Sequence, residues 1–257
     1  MADTPFLTAL RRLDRPVLPV AQDSRALAEM DRQVLERGFF SAQNIFEAPL
    51  RLMREAVRLI VSPREITRPD RVTPENPEGR VTVAPSLPEV RLATQRALAA
   101  AGYQPDPEKR GTIADLSSFK RINLVIEHNR TEAASYGQYM AGQNDAVLDA
   151  YPAQELVRFE DRKEPRDWVQ TWRAAGGRVF PGGDESTLHN YRLIAAKDDP
   201  IWTAISRFGQ PWPPFDFGSG MGLRDVSRLE AEQLGVIAPG QTVAATRRAF
   251  NDSLPEA

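Results

Sequence analysis

Acid and base groups are concentrated at Asp161-Arg162-Lys163-Glu164-Pro165-Arg166-Asp167, the densest charged run in the chain. Paired carboxylates do proton-transfer chemistry when one is desolvated enough to shift its pKa. Here opposite charges alternate with them, a pattern that predicts salt bridges fixing a turn. The two histidines, His128 and His189, are too few for a histidine-rich metal site. His128 lies between Glu127 and Asn129 in a helical stretch, where sequence neighbours point in different directions. Gly218-x-Gly220-x-Gly222 has glycine spacing suited to a phosphate cradle, but Pro213-Pro214-Phe215-Asp216-Phe217 precedes it. A dinucleotide fingerprint needs a buried strand there, so the glycines are expected to form a tight loop.

That glycine cluster ends a block beginning at Pro211, in which Trp212, Phe215 and Phe217 are interleaved with Pro213 and Pro214. Proline removes backbone donors and fixes φ, and glycine admits φ values other residues avoid, which predicts a structured loop. Rings in such a loop carry either a contact surface or the cover of a small core. Trp168, Trp172 and Trp202 also offer faces for stacking nucleic-acid bases, but no basic lining accompanies them, so core packing is expected.

The absence of cysteine excludes disulfides, thiolate metal sites and cysteine nucleophiles from this chain. A net charge of -2 supplies no general field for DNA or anionic membranes. Only four of the 33 basic residues are lysine, and arginine suits forked, partly buried ion pairs. No apolar run approaches the roughly 20 residues of a membrane span, and Met1-Ala2-Asp3-Thr4-Pro5 lacks the pattern of a signal peptide, so a soluble protein is expected. The 21 prolines and a mean hydropathy of -0.44 predict one compact part and one less compact part.

The elements that must position these residues follow from periodicity. Leu27, Met30, Val34 and Leu35 predict a helix over 22–37 closed by Gly38, and a second runs from about Ser41 to Val61 with a kink at Pro49. Prolines alternating with charges from Ser62 to Pro85 read as a linker, with Val81-Thr82-Val83 as an edge strand. Ser86-Leu87-Pro88-Glu89 is a capping box opening a helix that ends at Gly102. A long helix is expected from Ser117 or Ser118 towards Leu148, and strands at 156–159, 178–180 and 191–195. Further helices are expected from Pro165 through Trp168 and Trp172, from Asp199-Pro200 to Gly209, and from Leu223 to Leu234. The predicted fold class is α+β: a helical N-terminal arm and proline-rich linker (1–85), a connecting helix and loop (86–111), a small α+β domain with a long helix and short antiparallel sheet (112–238), and a tail (239–257).

From Ile122 to about Gly222 the chain resembles the head-morphogenesis family of tailed phages, which includes the F-type minor head protein of Mu-like phages. The resemblance is carried by Ile126-Glu127-His128-Asn129-Arg130-Thr131-Glu132, by Tyr139-Met140-Ala141-Gly142-Gln143, and by Phe159-Glu160-Asp161-Arg162-Lys163-Glu164-Pro165-Arg166. It continues in Gly177-Arg178-Val179-Phe180 and in Trp212-Pro213-Pro214-Phe215, in that order. Many members of that family carry a histidine after the Asp-Arg segment and a Cys-x-Cys pair after the proline turn. Here those places hold Asp167-Trp168 and Phe215-Asp216-Phe217, implying a ring-packed core instead of a metal site.

The resemblance implies a low-copy virion protein of the phage head or neck, present in the host cytoplasm during assembly. Its implied partners are portal or capsid proteins, with phage DNA contacted only indirectly and no membrane. It implies neither catalysis, cofactor nor metal. The structural and interaction residues are then Asp161, Arg162, Arg166, Asp167, Trp168, Trp172, Trp202, Trp212, Pro213, Pro214, Phe215 and Phe217. The rival expectation is a metal-dependent nuclease or hydrolase using Asp161, Asp167 and His189.

Overall fold

The structure is a computed structural model describing residues 10, 13–23, 26–27, 39–62, 64–162, 165–182 and 190–246, with residue 64 in its backbone alone. Most of the expected helix at 22–37 lies outside the described residues. Described residues fall into two compact units, one up to Ala133 and one from Ala134 onward. The division falls inside a helix, where no change of composition marks it.

In the first unit, helix α1 (Glu47–Val61) buries Leu50, Met53, Ala56 and Val57 along one side. It starts at Glu47 rather than Ser41, which puts Pro49 in the first turn. An amide there has no partner within the helix, so proline is accommodated and no interior turn is kinked. The expected strand at Val81-Thr82-Val83 is present, but residues 64–83 form a hairpin rather than a linker: β1 (Arg64–Thr67) pairs antiparallel with β2 (Arg80–Val83), Ile66 opposite Val81. The strands are free of proline, while Pro69, Pro74 and Pro77 fall in the connection. Asn76 closes that connection by accepting from Arg80 N at 3.0 Å and donating to Arg80 O at 2.9 Å.

Helix α2 (Leu87–Ala100) opens on the expected capping box, Ser86 N donating to Glu89 Oε2 at 2.9 Å and Glu89 N to Ser86 Oγ at 3.4 Å. Helix α3 (Phe119–Gly142) contributes Ile122, Val125, Ile126 and Ala133 to this unit's core. They pack with Leu13, Phe39, Val90 and the buried side of α1. The N-terminal helices therefore pack together around a core of their own.

Ahead of α3, buried Asp115 organises an irregular stretch. It accepts from Ser117 N (2.9 Å), Ser117 Oγ (2.6 Å), Gly111 N (2.9 Å) and Tyr103 Oη (3.2 Å). Burial alone pushes this carboxyl up, but the bonds from Ser117, Gly111 and Tyr103 outweigh it and hold it below the ordinary 3.8. A lowered native pKa contributes stability that is present above the unfolded value and lost as pH falls through the native one. The urea midpoint of the wild type should thus exceed that of Asp115→Asn at neutral pH. The gap should narrow as pH falls below the ordinary 3.8; a gap that stays constant as the pH falls would contradict this role.

The second unit contains a four-stranded antiparallel sheet in the order β4-β5-β3-β6: β3 (Ala153–Arg158), β4 (Val179–Pro181), β5 (Tyr191–Ala196) and β6 (Met221–Val226). The long helix stops at Gly142 instead of reaching Leu148, because the side chain of Asn144 accepts from Ala146 N and caps a separate helix, α4 (Asp145–Ala150). Helix α5 (Trp168–Ala174) starts from Asp167, not from Pro165. Helix α6 (Ile201–Ala204) is a single turn, since Ser206 Oγ then accepts from Phe208 N and Gln210 N and redirects the chain.

The expected helix at 223–234 is corrected to a strand followed by a helix, β6 and then α7 (Arg228–Gln233). Ser227 caps α7, accepting from Glu230 N. Leu223 and Val226 are spaced for one helix face, but in the strand they serve opposite faces of the sheet. Leu223 packs with Leu156, Leu193 and Met221 on one side, and Val226 with Ala153, Ile194 and Phe180 on the other. Among the described residues no helix is long and apolar enough to cross a membrane.

Candidate functional site

The charged segment and the aromatic loop, separate in sequence, meet at the end of β3. Phe159 N and Glu160 N both donate to Gly220 O, at 2.9 and 3.2 Å. Gly220 has φ +66, and a Cβ there would lie 2.5 Å from Glu160 O. A Cβ on Gly222 would stand 2.3 Å from the Phe159 ring. These two glycines permit a close crossing of chains. Gly222 is itself the second residue of the strand Met221–Val226, so no helix N-terminus follows the glycines.

Arg166 ties the same two segments. Its Nε is 3.1 Å from Asp216 Oδ2 and its Nη2 donates to Phe217 O at 2.9 Å. Arg207 also approaches Asp216, at 3.5 Å, and lies over the half-buried Phe217 ring, which stacks edge-on against Phe208. Within the charged run, Arg162 pairs with Glu160, Asp161 is exposed, and Lys163 and Glu164 lie outside the described residues. Asp167 accepts from Gln170 N at 2.9 Å as the N-cap of α5.

The rings face inward. Trp172 and Trp202 are fully buried with centroids 5.2 Å apart and planes at 64°, and Phe215 lies 6.3 Å beyond Trp202. Their indole N–H groups are satisfied, Trp172 by Arg178 O (2.9 Å) and Trp202 by Ala196 O (2.8 Å). Trp168 joins the same cluster, while Trp212 packs against Tyr136 and Tyr139 at 5.0 and 4.9 Å. Pro213 and Pro214 are buried. Gln210 holds the loop's shape, donating from Nε2 to Trp212 O and Pro214 O. The block thus covers a core rather than displaying its tryptophan to a partner.

One further site was not anticipated. Glu155, in the centre of β3, has no exposure, yet it is a carboxylate. Arg192 grips it with two bonds, Nε to Oε1 at 3.0 Å and Nη2 to Oε2 at 2.7 Å, and Arg224 adds a third at 2.9 Å. Arg224 lies directly opposite Glu155 in the sheet register. Arg192 also reaches Glu230 at 2.6 Å, and hydrogen bonding to Glu155 above all raises its pKa further. The sequence Ala153-Gln154-Glu155-Leu156-Val157 gives little signal of it, because Gln154 beside the acid reads as a solvent-facing pair; in the fold, a buried charge in a central strand requires partners. Nearby, buried Lys197 meets Asp225 at 2.7 Å.

Of the residues suited to acid-base or metal chemistry, Asp167 caps a helix, Asp161 faces solvent, and His189 lies outside the described residues. Among the described residues no group of three His, Cys, Asp or Glu side chains is arranged to hold a metal ion. Asp216 and Glu155 are each occupied by two arginines. Comparison with family models, with curated proteins and with solved structures finds no match.

Proposed function

We propose that this chain is a structural head protein of a tailed phage, a low-copy virion component at the portal or inner capsid that supports head assembly, DNA packaging or ejection. The phage assignment is supported by the order of the motifs between Ile126 and Phe215. The observation that carries the structural reading is the use made of the chemistry-bearing residues. Asp167, Asp216 and Glu155 are spent on capping, on tying Arg166 and Arg207, and on binding Arg192 and Arg224. Such engagements fix a body in one shape, the property needed by a part gripped by neighbours. The partners are portal or capsid proteins, and the net charge of -2 makes any contact with DNA indirect.

The test combines particles with purified protein. The chain should be found by mass spectrometry in purified virions of the phage that encodes it, and its gene should lie beside a portal gene. Its purified form should leave supercoiled DNA intact with Mg²⁺. Cleavage that is lost in Asp161→Ala while that variant keeps its fold, together with absence from particles, would replace this reading with the nuclease.

A further inference from the structure

Residues 238–246 form neither strand nor helix, yet they are fastened along their length. A turn comes first: Gln241 N donates to Ala238 O at 3.0 Å, Ala238 N to Gln241 Oε1 at 2.9 Å, and Gly240 has φ +70. Beyond it, Arg228 Nη1 donates to Gln241 O at 2.9 Å and Asp198 Oδ2 accepts from Ala244 N at 3.0 Å. Gln143 Oε1 accepts from Thr246 N at 2.8 Å, and Tyr139 Oη donates to Thr246 O. Gln143 is 2% exposed. The side-chain anchor is Val243, 4% exposed, in the cluster of Leu148, Ala153 and Val226.

Four body side chains thus read the main chain at positions 241, 244 and 246, and an apolar hollow takes the residue at 243. Main-chain groups belong to any extended peptide, while the hollow and the contact of Gln143 Oε1 with Thr246 Oγ1 at 3.3 Å supply selectivity. This is how extended-peptide grooves work: backbone bonds give affinity and a pocket gives specificity. The segment is held without a strand ladder, and the bonds of the turn at 238–241 are exposed. Ile237, 3% exposed, anchors the chain just before that turn, so the strap can lift while its root stays fixed.

We propose that residues 241–246 are a detachable strap, and that the groove formed by Tyr139, Gln143, Asp198 and Arg228 takes the same segment from a second copy of this chain. The segment already seated there identifies the occupant, because its valine and threonine match the hollow and the amide. Exchange between copies needs only the turn at Pro239-Gly240 to open. The inference is independent of the virion reading.

The probe is a fluorescein-labelled peptide of residues 238–246, titrated into the full-length chain and followed by anisotropy. Val243→Asp, which dislodges the chain's own strap, should bind the peptide at least tenfold more tightly than wild type. Adding Gln143→Ala should remove most of that gain. Equal binding by wild type and Val243→Asp, or a gain unaffected by Gln143→Ala, overturns the proposal. Should Val243→Asp not fold, hydrogen exchange on the wild type decides: the amides of Ala244 and Thr246 should exchange at least a hundredfold faster than those of β3. Exchange in step with β3 means the strap never leaves its groove.

Discussion

Replacing Glu155 by alanine should destabilise the second unit by about 3–5 kcal/mol, because removing one partner from a buried ion pair leaves the rest uncompensated. Two guanidinium groups lose their shared carboxylate, and the side chain of Arg192 is only 17% exposed. Against a domain stability of roughly 5–15 kcal/mol, that brings the unit near unfolding at ambient temperature. Arg224 is 38% exposed at its side chain and can turn to water, so Arg224→Ala should have a smaller effect. All four tryptophans lie beyond residue 134, so their fluorescence during urea unfolding reports on this unit. The triple variant Glu155→Met, Arg192→Leu, Arg224→Met removes the charges together and should recover most of the loss. If it is as unstable as Glu155→Ala, the defect is one of packing and the electrostatic argument fails. Added salt should change little, since a fully buried carboxylate is poorly screened.

Local signals in the sequence predicted local structure. The capping box at Ser86 and the apolar stretch within Tyr191–Ala195 each depend on neighbours along the chain, and both elements lie where those signals put them. The aromatic block was legible as a loop of fixed shape, and the rings of Trp212 and Phe215 turned inward because a core was there to receive them. Elements settled by distant partners were not legible. Leu223 and Val226 fit a helix as well as a strand until β3 supplies the hydrogen bonds. The partners of Glu155 are 37 and 69 positions away, so nothing near the acid in the chain showed that it is buried or what it binds. Of the hairpin at 64–83 the strand at Val81-Thr82-Val83 was legible, but its partner β1 was hidden because prolines in the connection outweighed a short strand that contains none. In the charged run, Arg166 proved to pair with Asp216, 50 positions on, a partner that only the fold brings near.

Trp202 supports the face of the sheet on which the aromatic loop rests, and Trp202→Ala should destabilise by about 3–5 kcal/mol. The loss has two parts: the transfer free energy of a large ring, and a cavity that its neighbours cannot fill. Trp172 and Phe215 flank the ring on either side and are themselves fully buried. Trp202→Phe separates the ring from its polar handle. It keeps an aromatic body but removes the indole N–H from Ala196 O, which retains its bond from Asp199 N at 3.1 Å, a loss of roughly 0.5–1.5 kcal/mol. Trp212 is the matched control, because its Nε1 is buried with no hydrogen-bond partner among the described residues. Trp212→Phe therefore gives up volume against Tyr136 and Tyr139 but no hydrogen bond, and should be milder than Trp202→Phe. Urea midpoints should rank Trp202→Ala lowest, then Trp202→Phe, then Trp212→Phe. If the two phenylalanine variants are equal, shape alone holds these rings, and the bond from Trp202 to Ala196 contributes nothing measurable. If instead the ranking holds, the ring cluster stabilises the unit both by apolar burial and by pinning α6 to the end of β5, the geometry on which the loop at 211–220 depends.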